Sequence, residues 1–235
     1  MRVHHRRARL CAVAGIIVTI SIAVISGLAV PASAAPSLRP TNNVNFSGYY
    51  ATPAIGLASV STTFKVPTIN CSSGITQGVA FGAIADINSS TAAARSQVRA
   101  QCTGTTASYQ LFVLANTSEF VENGVGPGDK VVASIFQTVT GISAEIHDLT
   151  SGFYYVADGS ANGATGAGAG AEQITTPTPE LIAPFATPTF TKAEVNGDYI
   201  GFDTPIRYDM ATGSNVIMKA GLLTDGGDQF AVAFN

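Results

Sequence analysis

No apolar pattern downstream of Asn43 persists at helical spacing. The texture is short apolar or alternating runs cut by Gly, Pro, Asn and Ser. Val60 to Val66 alternates in part and stops at Pro67. Tyr109 to Leu114 is aromatic and aliphatic. Lys130 to Thr140 is β-branched with polar interruptions. Gly152 to Val156 carries Phe153, Tyr154 and Tyr155. Phe185 to Lys192 alternates again, and Val216 to Leu223 and Gln229 to Phe234 close the chain. Successive strand residues point to opposite faces, so runs of this length suit half-buried strands. With 24 glycines and 11 prolines as punctuation, the pattern predicts an all-β sandwich or barrel. Asn123-Gly124, Asn196-Gly197 and Asp225-Gly226 mark turns, the first within a longer loop with Pro127-Gly128. Ala92 to Gln101 is the best local helix candidate, subject to override by strand partners. Ser160 to Gly170 reads as a soft Gly/Ala surface loop.

The first 34 residues differ from the rest. Leu10 to Val30 is almost uninterrupted apolar sequence behind Arg2, His4, His5, Arg6, Arg7 and Arg9, and Ala32-Ser33-Ala34 follows as a small-x-small cleavage pattern. This is the pattern of a secretory signal peptide over residues 1–34, with an uncleaved membrane anchor as the alternative. The expected mature chain is one domain over 35–235, secreted and without stable membrane association. Its charge is eight basic against fifteen acidic side chains, a net −7, where the whole chain has −3.

That balance excludes several functions. Scattered basic residues on an acidic chain make a poor nucleic-acid surface. His147 is the only histidine beyond the leader, so no multi-histidine zinc site can form, and a Ser-His-Asp triad would have to use it. Cys71 and Cys102 fit one disulfide in an oxidising compartment, with a metal pair as the weaker reading because no further soft ligand is evident. Asp225-Gly226-Gly227-Asp228 lacks the rest of a calcium-loop pattern and reads as an acidic turn. Glu172 is a candidate acid or base. A glycosidase would pair it with Asp86 or Asp148, at a separation that sequence spacing does not establish.

An ordered series of short motifs carries a resemblance. Asn45-Phe46-Ser47-Gly48-Tyr49, Phe64-Lys65-Val66-Pro67, Gly128-Asp129, Thr150-Ser151-Gly152, Ala171-Glu172-Gln173-Ile174 and Pro188-Thr189-Phe190-Thr191-Lys192-Ala193 stand in order across residues 44 to 205. Together they resemble the glutamic peptidases of the eqolisin family. The resemblance implies a two-sheet antiparallel β-sandwich whose concave face binds an unfolded or extended polypeptide. It implies a glutamine–glutamate dyad with no cofactor and no metal. Glu172 matches the glutamate. Gln97 matches the glutamine, with Gln101 as the alternative register. Asp86 matches a supporting aspartate, while Phe81, Tyr109 and Gln173 stand at substrate-side positions. Where the family carries tryptophans this chain has none, and reads Phe46, Phe81 or a neighbour, and Gln173.

Such a dyad needs only a carboxylate and an amide. Ionised Glu172 would take a proton from water and return one to the leaving amine, while Gln97 would donate to the developing oxyanion. Acidic conditions are expected, since the leaving amine must be readily protonated. The competing expectation is a non-catalytic secreted β-sandwich that binds carbohydrate or peptide.

Overall fold

Burial alternates residue by residue along Gly141–Asp148, with Ile142, Ala144, Ile146 and Asp148 inside. The same two-residue period builds most of the molecule. The computed structural model describes residues 39–72, 77–86, 94–160, 163–174 and 181–235. The leader expected over 1–34 lies outside them.

Sixteen strands appear among the described residues: β1 (Thr41–Asn43), β2 (Phe46–Ala51), β3 (Ser59–Lys65), β4 (Gln77–Ala85), β5 (Ala94–Thr103), β6 (Thr106–Ala115), β7 (Ser118–Asn123), β8 (Lys130–Gln137), β9 (Gly141–Asp148), β10 (Tyr154–Ser160), β11 (Ala167–Glu172), β12 (Thr189–Val195), β13 (Asp198–Tyr199), β14 (Ile206–Thr212), β15 (Asn215–Ala220) and β16 (Phe230–Phe234). One sheet runs β10-β9-β8-β3-β12. The other runs β14-β2-β11-β4-β5-β6-β7. β16 and β15 connect them through pairings to β12 and β14. The pairings are antiparallel except β1 with β14. This is the expected all-β, two-sheet sandwich.

The core lies between the sheets. β4 packs over β3 and β8, and β5 over β8 and β9. Without tryptophan, phenylalanines fill the middle. The Phe190 ring stacks on Phe230 at 5.2 Å, Tyr49 meets Phe230 edge-on at 4.9 Å, and Phe81 meets Phe185 at 5.1 Å. Each buried ring contributes roughly 1.5–3 kcal/mol of transfer free energy. Cys71 and Cys102 form the expected disulfide, with Cα atoms 5.5 Å apart, fastening the segment before β4 to the end of β5.

Two local expectations change. Residues 94–101 of the helix candidate are strand β5; its first two residues lie outside the described set. Ala94, Ser96, Val98, Ala100 and Cys102 turn inward, and β5 is paired along its length to β4 on one side and β6 on the other. Two ladders and a buried face outweigh a weak helical propensity. Residues 167–170 of the soft tract are likewise not surface loop. They begin β11, which is buried at every residue and pairs with both β2 and β4. Small side chains suit a central strand flanked closely on both sides.

Candidate active site

Register brings the site together. On β11, Glu172 stands opposite Phe46 of β2 and Ala80 of β4. The next row on that face reads Gly48, Gly170, Gly82, Gln97 and Phe112 across five strands. The row beyond holds Tyr50, Gly168, Ile84 and Arg95. Because side chains alternate, Gln97, Arg95, Arg99 and Glu172 share the face turned away from the inter-sheet core.

The glycine row is a steric necessity. A Cβ on Gly82 would lie 2.1 Å from Ser96 O, and one on Gly170 would lie 2.2 Å from Ser47 O and 2.9 Å from Phe46 Cζ. Gly48 and Gly82 also hold φ of 155° and 152°, a region open to glycine. The result is a floor without side chains beside Gln97. Phe46, Ile84 and Tyr208 form a separate apolar cluster on the same face, with the Phe46 and Tyr208 rings edge-on at 6.3 Å.

Gln97 Nε2 donates to Glu172 Oε2 at 2.6 Å. Both residues are buried, 2 % and 6 % exposed. At the other end of the amide, Gln97 Oε1 is buried and has no hydrogen-bond partner among the described residues. Arg95 grips the same carboxylate with two prongs: Nε donates to Glu172 Oε2 at 2.8 Å and Nη2 to Oε1 at 2.7 Å. Burial works against the charge on Arg95, and the hydrogen bonds and negative charge of Glu172 outweigh it, holding the guanidinium above its ordinary value. Arg99 is directed differently, with its guanidinium carbon 3.2 Å from the centre of the Phe112 ring.

The other expected residues are placed elsewhere. Asp86 follows β4 with φ of 55°, and its Oδ1 accepts from the Thr165 N–H at 3.0 Å. It ties β4 to the chain entering β11, six residues past Ala80 and roughly 20 Å along the strand from the level of Glu172. Phe81 alternates with Ala80 and Gly82, so its ring joins the inter-sheet core against Phe185. Tyr109 packs on that core too, and its hydroxyl accepts from the Ile69 N–H at 3.0 Å. Gln173 follows Glu172 and donates its backbone N–H to Asn45 O. Gln101 shares a face with Gln97, roughly 13 Å further along β5. Asp148 accepts from Thr150 N–H and from the Ser151 hydroxyl in a turn of the opposite sheet. His147, on the same strand, meets Tyr154 edge-on at 5.8 Å.

Sequence reading passed over Arg95. Its signal was positional: two residues from Gln97 on a strand, hence on the same face. It became visible only once residues 94–101 were a strand. A groove of about 580 Å³ lies on the other sheet among Thr63, Lys65, Lys130, Pro188, Thr189 and Thr191, and its described lining holds no acid or side-chain amide.

The two-sheet sandwich, taken by itself, defines a class of fold: it is that of the glutamic peptidases. A scytalido-glutamic peptidase bound to a transition state analog inhibitor is similar at a TM-score of 0.64 and 18 % identity, over 82 % of this chain and 99 % of that one. SCP-B, a member of the eqolisin family in complex with the tripeptide Ala-Ile-His, gives 0.63 and 16 %, over 82 % and 99 %. The aspergilloglutamic peptidase from Aspergillus niger gives 0.52 and 16 %, over 75 % and 99 %. The likeness is one of fold. No family model matches the sequence, and no curated protein matches it.

Proposed function

We propose that this chain is a secreted glutamic endopeptidase that hydrolyses unfolded or extended polypeptide at acidic pH. The observation that carries the reading is the 2.6 Å contact from Gln97 Nε2 to Glu172 Oε2 beside the glycine floor. An extended peptide needs a flat strip on which its backbone can approach the sheet, and the row Gly48, Gly170 and Gly82 offers one. Glu172 accepts a proton from water as the water oxygen attacks the scissile carbonyl carbon. The second N–H of Gln97 donates to the carbonyl oxygen as it gains charge. The protonated Glu172 then gives its proton to the departing amine as the C–N bond breaks. Tyr208, half-buried over Phe46 and Ile84, supplies apolar contact for substrate side chains. Among the described residues no helix is long and apolar enough to cross a membrane.

The test is proteolysis of a denatured protein across the carboxylate range, roughly pH 2–6. Wild type cleaves. Glu172→Gln and Gln97→Ala each abolish cleavage while circular dichroism shows both variants folded at the assay temperature. Full activity in both variants sinks the assignment.

One observation favours a second reading, a sandwich that binds carbohydrate or peptide without cutting it. Arg95 contacts both oxygens of the carboxylate. Saturable binding of an intact peptide or oligosaccharide, with no cleavage at any pH, would establish it.

A further inference from the structure

We infer that Arg95 is a positioning residue that selects which oxygen of Glu172 takes the proton. The inference rests on the peptidase reading above and adds a role that the Gln–Glu pair alone does not contain.

A carboxylate offers about four acceptor positions, two on each oxygen. Glu172 Oε2 receives Arg95 Nε at 2.8 Å and Gln97 Nε2 at 2.6 Å, which fills it. Among the described residues Oε1 receives only Arg95 Nη2, at 2.7 Å, and keeps one position. A water approaching Glu172 therefore donates to Oε1. Its second hydrogen has a matching acceptor in Gln97 Oε1, which is buried and has no partner among the described residues. Two acceptors then fix the direction of the remaining lone pair of the water. That lone pair forms the bond to the carbonyl carbon as the proton passes to Oε1. The same oxygen returns the proton to the amine when the C–N bond breaks.

The strand register supports a built contact rather than a chance one. Arg95 stands opposite Ile84, and Glu172 stands opposite Ala80. On that face of β4 only Gly82 lies between those positions. Arg95 reaches Glu172 across Gly82, a point on β4 where a side chain is sterically forbidden. Arg99, in the row of Glu172, is turned onto Phe112 instead. The planar two-pronged fork of arginine holds both oxygens in one plane, which an ammonium group cannot do.

The experiment compares wild type, Arg95→Ala, Arg95→Lys and Glu172→Gln on one peptide, with and without millimolar guanidinium. We expect Arg95→Ala to lower kcat about 100-fold, since a misplaced reacting group costs about that much. KM should stay near wild type, and guanidinium should restore kcat while equal sodium or ammonium does not. Arg95→Lys should remain as slow as Arg95→Ala. A second readout needs no activity: guanidinium should raise the Tm of Arg95→Ala and not that of wild type, because the ion fills a site the variant has opened. Wild-type kcat in Arg95→Ala, a raised kcat, or a loss that guanidinium leaves unchanged in a folded variant overturns the inference. Cleavage by Glu172→Gln overturns the peptidase reading itself. If wild type cleaves nothing, that reading fails, the proton-accepting role fails with it, and the Tm comparison still decides whether Arg95 orients Glu172.

Discussion

Gln97 and Glu172 meet at 2.6 Å across strand β4, which contributes only Gly82 and Ala80 to the face between them. Their contact depends on what the intervening strand omits. A larger residue on that strip of β4 would stand where Arg95 and Gln97 reach toward the carboxylate.

Gly82→Ala tests this dependence. The added carbon meets Ser96 O at 2.1 Å and Gln97 Cα at 2.9 Å, both parts of the backbone. A loss of about 3 kcal/mol or more in urea denaturation is expected. Gly104→Ala is the control. Gly104 sits at φ of 61° with open space around it, so the cost is only that of the left-handed backbone, about 1–2 kcal/mol. Equal losses in the two variants would mean that the floor is not closely packed.

The Arg95–Glu172 pair should show coupling in a double-mutant cycle. Arg95→Met leaves a buried carboxylate with the Gln97 amide as its remaining hydrogen-bond donor among the described residues, and Glu172→Leu leaves a largely buried guanidinium. Each single change is expected to destabilise more than half as much as the double change. A coupling energy of about 1–3 kcal/mol should emerge from chemical denaturation of the four proteins. Additive losses would show that the ion pair contributes nothing beyond its separate groups.

The disulfide closes a loop with a sequence separation of 31. Replacing both cysteines with alanine should lower stability by about 3–4 kcal/mol in the chain-entropy account. Comparing denaturation midpoints of the variant and of wild type, each with and without reductant, checks it. Reductant should move only wild type.

Asp203 gives a pH-dependent prediction. Burial, and then the like charge of Asp198, raise its carboxyl above the ordinary aspartate value. Ionising it therefore costs more in the folded protein than in the unfolded chain. The penalty is absent below the unfolded value, grows as pH rises through the carboxylate range, and is complete above the folded value. Asp203→Asn should melt higher than wild type at neutral pH, and the difference should vanish on acidification. Melting curves at about pH 7 and about pH 3 decide it. A constant gain at both values would contradict the stated cause.

Strand content was legible because alternation is local. Val60 to Val66 became most of β3, Lys130 to Gln137 became β8, and Asn196-Gly197 became the turn between β12 and β13, with φ of 55° and 85°. The two exceptions share a cause. Residues 94–101 looked helical because Ala, Arg and Gln favour helix, and residues 167–170 looked like loop because alternating alanine and glycine carry little local preference for a strand. Their conformation comes from the ladders on either side. The same limit applied to the site. The motifs around Gln97 and Glu172 marked those two residues, but not the Arg95 fork, nor the turning of Phe81 and Tyr109 to the opposite face.

Side-chain period, turn chemistry, the cysteine pair and the supply of one amide and one carboxylate were properties of the chain alone. Which residues share a row was decided by tertiary structure. Residues 75 apart become neighbours only when β11 settles between β2 and β4. A one-residue slip in that register would turn Glu172 to the other face. Alternation repeats along one strand and is written in sequence; register is an agreement between distant strands, set by the glycines that let them approach and by the core that fixes which face is inside.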